Sequence, residues 1–262
     1  MVILLGEKTI SNRTHILLKQ TLANWPQWII NTEQQLTDPP KLIRELTGGK
    51  TNDTFLVASG DFKAVVRVNS PVGASLGIDR EREAQILRLL APSGIIPKTF
   101  YCTNDVLVSE YIEGQHPTAM ALKNPSTMEA VCSALRAIQR VPMPNGISRN
   151  YLQYCRGYLD QLTDDCVAPE LRKEIEVAAK AVDNGQWHPV ICHHDLVPQN
   201  IILNADGARI IDWEYASLGH PELDFLRLYG LDYTSTNSQK GVLEPLFKVQ
   251  QAMDKLWLAV QL

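Results

Sequence analysis

The sequence predicts an α+β fold in two lobes: a small antiparallel-sheet lobe holding one key helix, then a larger, mostly helical lobe. Three observations predict it. From about Lys41 to Leu107 short alternating or apolar runs dominate, as strands require, broken by one helix-like stretch, Asp79–Leu90. Past Gly114 the periodicity turns helical, over Ser126–Arg140, Asn150–Leu162 and Pro169–Asp183. Inside that helical half, Asp206-Gly207 stands between two apolar runs, Ile201-Ile202-Leu203 and Ala208–Ile211, which is a hairpin signal. The boundaries that follow are residues 1–40 for a helical lead-in, 41–113 for the small lobe and 114–262 for the large lobe.

The elements follow in chain order. Ile10–Ala23 is periodic, and Trp25-Pro26 and Pro39-Pro40 break it. Leu42–Leu46 reads as a strand, Thr47–Asn52 as a turn and Asp53–Ala58 as the returning strand. Gly48 and Gly49 in that turn let backbone N–H groups approach an anion closely, although a plain hairpin turn fits the same residues. Lys63–Val68 reads as an alternating strand, with Arg67 as the cation of interest. The Asp79–Leu90 helix turns Ile86, Leu87, Leu89 and Leu90 toward a core and Glu83 to another face. Ser126 with Glu129 three residues on has the pattern of a capping box, and Pro142 and Pro144 stop that helix. Pro189–Cys192 can enter the large lobe as a short buried strand.

Directly after that strand comes His193-His194-Asp195-Leu196-Val197-Pro198-Gln199-Asn200, and then, across the hairpin, Asp212-Trp213-Glu214. A hairpin joins its open ends, so Asn200 and Asp212 are expected side by side. Two oxygen ligands suit Mg²⁺, which takes few protein ligands and completes its shell with phosphate and water. Asp195 is then a carboxylate placed to receive a proton from a hydroxyl. This order of base, amide and second carboxylate is the set that kinase-type phosphoryl transfer needs, because that chemistry is mostly positioning and charge neutralisation. In the same plan a cation on the third strand pairs with a helix Glu and grips the phosphates. Arg67 and Glu83 have the order for it, with Glu81 as a competing partner and a surface ion pair as the plainer reading.

These residues resemble the superfamily of choline kinases, thiamine kinases and aminoglycoside phosphotransferases. The resemblance rests on Gly48-Gly49-x-Thr51-Asn52, Val65-Val66-Arg67, Ile78–Glu83, the His193-x-Asp195-x4-Asn200 run and Ile211–Ala216, and spans about Leu42 to Phe225. It implies a protein-kinase-like fold, ATP and Mg²⁺ as cofactors, Asp195 as catalytic base, and Asn200 and Asp212 as metal ligands. It further implies that Gly48, Gly49, Thr51, Asn52, Arg67 and Glu83 bind the nucleotide phosphates. Ser109–Gly114 looks like the hinge whose backbone meets adenine, through Glu110 and Ile112; an edge strand ending in Gly is the other reading. Arg67 and the Glu214-Tyr215 pair look more like choline and thiamine kinases than antibiotic kinases.

Two departures stand out. The family commonly has Gly before the catalytic Asp, where this chain has His194, an imidazole that packs or touches substrate. The stretch after Asp224 is shorter than these enzymes usually spend on closing the acceptor pocket. His193 reads as a structural histidine that orients the loop, and Asp224 as a brace below the site. Glu214 and Tyr215 are the expected acceptor contacts; Trp213, Tyr229, Tyr233 and Trp257 are either further pocket walls or core aromatics. An aromatic face with a carboxylate suits a cationic acceptor.

Composition sets bounds. A net charge of −4 leaves no basic footprint for nucleic acid. A 262-residue chain, 45% hydrophobic, can bury a full core. Five scattered cysteines without C-x-x-C spacing point to reduced thiols, and no apolar run has spanning length, so a cytoplasmic protein is expected. His220-Pro221-Glu222 follows Asp212 too closely for an activation segment, so a small-molecule hydroxyl acceptor is expected and a protein substrate is not. The expected function is transfer of the γ-phosphate of ATP to a choline-like or thiamine-like alcohol. Aminoglycoside or sugar phosphotransfer, and a catalytically silent nucleotide-binding protein, are the alternatives.

Overall fold

The structure, a computed structural model, describes residues 11–28, 36–46, 51–144, 146–164, 166–233 and 237–260, apart from the side chains of 237–239. The described residues fall into two compact units, one within Met1–Gly73 and Pro97–Tyr111, the other within Ala74–Ile96 and Ile112–Leu262.

The first unit is a five-stranded antiparallel sheet. Its strands are β1 (Lys41–Glu45), β2 (Asp53–Ser59), β3 (Phe62–Val68), β4 (Thr99–Cys102) and β5 (Val106–Glu110), in the order β1-β2-β3-β5-β4. Alternation sends Phe62, Ala64, Val66 and Val68 of β3 into one core with Phe55, Val57, Phe100, Val106 and Val108. Helix α1 (Asn12–Ala23) adds Leu18 to that core, and Ser11 caps it by accepting the Thr14 N–H at 3.1 Å.

Among the described residues the second unit holds six α-helices and two short ribbons. Helix α2 (Arg80–Leu90) begins at Asp79, whose side chain accepts the Arg82 N–H. Sequence grouped this helix with 41–113; its contacts group it here, because Ile86, Leu87 and Leu90 are buried and Arg82 Nε donates to the Ala216 carbonyl at 2.9 Å. Helices α3 (Pro125–Gln139), α4 (Tyr151–Leu159) and α5 (Pro169–Asp183) follow. The cap of α3 is Asn124, with Pro125 in the first turn, so Ser126 lies inside the helix and is not its cap. Strands β6 (Val190–Cys192) and β9 (Ser217–Gly219) pair antiparallel, as do β7 (Ile201–Asn204) and β8 (Gly207–Ile210). The β7–β8 turn runs Asn204-Ala205-Asp206-Gly207 as expected, and Gly207 takes the positive φ of 113° as the first residue of β8.

Helices α6 (Leu223–Tyr229) and α7 (Asn237–Val260) complete the unit. One core joins α4, α5, α6 and α7 through Tyr151, Leu159, Ile175, Ala179, Leu226 and Leu246. No helix among the described residues is long and apolar enough to cross a membrane.

Candidate active site

The loop after β6 is set by one buried carboxylate. Asp224, in the first turn of α6, accepts the His193 N–H at 2.7 Å and the His194 N–H at 3.1 Å. Burial pushes its carboxyl above the usual range, while His193, the two N–H donors and Arg227 pull it back. The brace expected from sequence is this pair of bonds.

Both histidines are interior groups. His193 donates through Nε2 to the Ile211 carbonyl at 2.9 Å and accepts the Asp195 N–H at Nδ1, 3.3 Å away. Its ring packs on Trp213 at 4.8 Å between centroids. Burial pushes both imidazoles down, which keeps them neutral. His194 stands at φ +64°, a left-handed conformation that glycine takes without cost, which is what the family's Gly at this position suits and what His194 adopts in its place. Its ring fills the space beside Gly219, where an added Cβ would come within 2.7 Å. Packing is therefore what this imidazole does.

Asp195 follows, with its side chain 35% exposed, so it reaches solvent while its backbone is held. Arg227 of α6 donates from Nη2 to Asp195 Oδ1 at 2.7 Å, and from Nη1 to Asp254 of α7. Asp254 also accepts from Gln250 at 2.8 Å. Sequence reasoning missed Arg227 and Asp254. Nothing local in the sequence says that these two charges meet the loop.

At the hairpin's open end, the Ile211 N–H donates to the Asn200 carbonyl at 2.9 Å, which seats Asn200 against the residue before Asp212. The hairpin thus puts Asn200 opposite Ile211, one residue short of the Asp212 expected beside it. Asn200 Nδ2 donates to the Asp195 carbonyl at 2.9 Å, so the amide oxygen is the end turned away from the loop. Asp212 takes φ +65°, which turns the chain sharply out of the hairpin. An amide oxygen and a carboxylate are hard ligands of the kind Mg²⁺ takes, and no cluster of three His, Cys, Asp or Glu able to hold a metal occurs among the described residues. The donor set fits a hard cation that brings its own phosphate and water ligands.

The next residues are buried. Glu214 meets Arg80 at 3.0 Å, and the same guanidinium donates to Glu83 at 2.8 Å, giving a carboxylate–guanidinium–carboxylate cluster. Glu83 is interior and Glu81 exposed, so Glu83 is the inward carboxylate of α2. Tyr215 packs with Leu76 and Ile78, and its hydroxyl accepts the Trp257 Nε1–H at 2.8 Å. Arg149 fixes the backbone beyond, donating to the Tyr215 carbonyl at 2.7 Å and the Ser217 hydroxyl at 3.0 Å. Glu214 and Tyr215 thus line the interior behind the loop instead of standing open to an acceptor.

In the first unit, Arg67 is buried and donates from Nε to Asn69 Oδ1 at 3.0 Å. Asn52 is buried and accepts the Ser70 N–H at 3.1 Å; Thr51 is half-buried beside it. Gly48 and Gly49 lie outside the described residues. Glu110 closes β5, its N–H donating to the Lys98 carbonyl at 2.8 Å, while Ile112 opens the next segment of the second unit, partly buried.

Comparison with known proteins bears on this geometry. The model of the phosphotransferase enzyme family (APH) matches residues 42–257. Ethanolamine kinase 1 of Mus musculus is 26% identical over 209 residues, 71% of this chain and 57% of that protein. The chain thus spans little more than half the length of this curated relative. Among solved structures, choline kinase LicA from Streptococcus pneumoniae superposes with a TM-score of 0.72 at 19% identity, covering 95% of this chain and 91% of the other. A LicA structure in complex with AMP gives 0.69, also at 19% identity, over 94% and 89%. These structures establish a kinase-like fold.

Proposed function

The chain belongs to the phosphotransferase enzyme family, and from that premise we propose that it is an ATP-dependent kinase acting on a hydroxyl of a small cationic acceptor. The observation that carries this reading is Asp195: a half-exposed carboxylate, fixed through its backbone by His193 and Asn200 and through its side chain by Arg227. An oriented carboxylate at the start of a loop that ends in an amide and a second carboxylate supports alcohol phosphorylation more directly than any other chemistry.

Asp195 orients the acceptor hydroxyl and takes its proton as the oxygen attacks the γ-phosphate. Arg67 is placed as the cation for the nucleotide's phosphates, joined by the backbone of the Gly48-Gly49 turn and by Thr51 and Asn52. Asn200 and Asp212 are the residues that would hold Mg²⁺, which when bound neutralises charge on the transferring phosphate. Glu83 and Glu214, tied by Arg80, hold α2 to the segment that follows Asp212. The backbone from Glu110 to Ile112 is proposed to meet the adenine.

For the acceptor, a choline- or ethanolamine-like amino alcohol is favoured by the names of the relatives, with a thiamine-like alcohol as the other member of the class. Asp195, Arg227 and Asp254 together leave one negative charge near the reacting hydroxyl, which tolerates a cation. The experiment is ADP release from Mg·ATP against choline, ethanolamine, thiamine, sugars and aminoglycosides. Turnover on one cationic alcohol supports the reading; turnover on a sugar or aminoglycoside alone would replace the acceptor class, and silence on all would remove the activity.

A further inference from the structure

We propose that helix α1, which precedes the family-matched residues, is a positioning element for nucleotide binding, acting through Asn69 on Arg67 and through Thr14 on the start of β2. This rests on the reading of Arg67 as a phosphate ligand.

The register of the β2–β3 hairpin makes the placement specific. Asp53 pairs with Val68 and Thr54 with Arg67, so Asp53 and Asn69 stand at the same end of the two strands. Thr51 and Asn52 directly precede β2 at that end. Two consecutive side chains of α1 grip it. Thr14 Oγ1 donates to Asp53 Oδ2 at 2.6 Å, on β2. Arg13 Nη1 donates to the Asn69 carbonyl at 2.8 Å, just past β3, and Nη2 to Asp105 at 2.6 Å, just before β5. A further tie, Ser70 N–H to Asn52 Oδ1, joins the residues beyond β3 to those before β2.

Asn69 transmits this grip. It is buried, and each of its polar groups is engaged: its N–H donates to the Asp105 carbonyl at 2.8 Å and its Nδ2 to the Asn104 carbonyl at 2.9 Å. Its carbonyl accepts Arg13, and its Oδ1 accepts Arg67 Nε at 3.0 Å. The bond to Arg67 engages Nε, which lies in the plane of the guanidinium. The guanidinium plane is therefore fixed by a residue that α1 itself holds.

Stability alone does not explain the Arg13 contacts. The Arg13–Asp105 pair is open to solvent, with side chains 38% and 60% exposed, and pairs of that kind contribute little to folding. A contact that adds little to folding but fixes a ligand's geometry acts through pre-organisation.

The test is the dissociation constant of Mg·ADP by titration calorimetry on the full chain, with the melting temperature measured beside it. Arg13→Gln and Thr14→Val are expected to weaken binding about fivefold each, with Arg13→Lys and Thr14→Ser recovering part of it. Leu17→Ala, which loosens the packing of α1 on the core without touching these bonds, is the control. It should lower the melting temperature and leave the dissociation constant alone. Arg67→Ala sets the scale. If Arg67→Ala weakens binding while Arg13→Gln and Thr14→Val do not, the role of α1 is overturned and the reading of Arg67 stands. If Arg67→Ala leaves binding unchanged, both fall. A loss in Leu17→Ala equal to that in Arg13→Gln would also overturn the proposal, since the effect would then follow stability.

Discussion

Arg227 of α6 donates to Asp195 Oδ1 at 2.7 Å while its other terminal nitrogen holds Asp254 of α7. The base of the proposed reaction is thereby tied to the C-terminal helix through one guanidinium, 10% exposed. Such a partner fixes the orientation of the Asp195 carboxylate. Phosphoryl transfer with a loose transition state depends mostly on positioning, so this contact favours turnover. Arg227→Lys keeps the charge and loses the planar fork that spans two carboxylates. It is expected to lower kcat about tenfold with the Mg·ADP dissociation constant unchanged. Steady-state kinetics with calorimetry checks this, and an unchanged kcat would remove Arg227 from the site.

Asp224 receives two backbone N–H groups in the interior, and an amide can satisfy only one of them with its oxygen. Asp224→Asn, nearly the same shape, presents a donor to the other. Denaturant unfolding is expected to show a loss of about 2 kcal/mol, the cost of a buried donor left without an acceptor. A loss within experimental error would mean that the loop is held by something else.

Acid should weaken the fold through its neutral histidines. Burial pushes His220 down to about 4, and lowers His193 and His194 from the ordinary imidazole value as well. The unfolded chain takes up these protons below its own pKa of about 6.5, whereas the native state does not until its lowered pKa is reached. Stability is thus fully present above about 6.5 and is lost as pH falls from there toward about 4, at up to ~1.4 kcal/mol per pH unit for each histidine. The raised carboxyls of Glu222 and Asp224 act with the opposite sign, their contribution fading as pH rises. The histidine part is therefore read as a difference: His220→Gln should flatten the pH dependence of unfolding below neutrality. An identical slope in the two proteins would contradict the assignment.

Gly219 faces the ring of His194 and the hydroxyl of Tyr151. A Cβ there would lie 2.7 Å from the imidazole and 2.8 Å from the phenol oxygen, in space with no room to yield. Gly219→Ala should destabilise by about 1–3 kcal/mol and lower kcat with it, because His194 adjoins Asp195. Thermal unfolding and turnover on one preparation test both effects, and a native-like variant in both would sink the argument.

Much of this was legible in the sequence, and the parts that were not share a cause. The β7–β8 hairpin was readable because an Asp-Gly pair between apolar runs is a local signal, and its closure alone puts Asn200 near Asp212. The turn falls at Asn204–Gly207 as read, with Gly207 taking the positive φ that closes it. The cap of α3 was misread because Asn124-Pro125 and Ser126 both carry starting signals, and the sequence does not rank them. Arg227, Asp254, Arg80 and Asn69 were invisible for another reason. Each acts on a residue brought to it by tertiary folding, and a lone charge or amide on an amphipathic element carries no local mark of its partner. The same holds for Glu214: its neighbour Asp212 drew it toward the acceptor, whereas burial and Arg80 turn it inward.

The most direct test of the whole account is Asp195→Asn, with turnover and Mg·ADP binding measured on the same protein. The side chain keeps its shape and loses its charge and its capacity to take a proton. The account predicts a fall in kcat of about a hundredfold or more with the dissociation constant for Mg·ADP nearly unchanged. Retained turnover would contradict the role of Asp195 as the base, and a matching loss of nucleotide affinity would make it a binding residue instead.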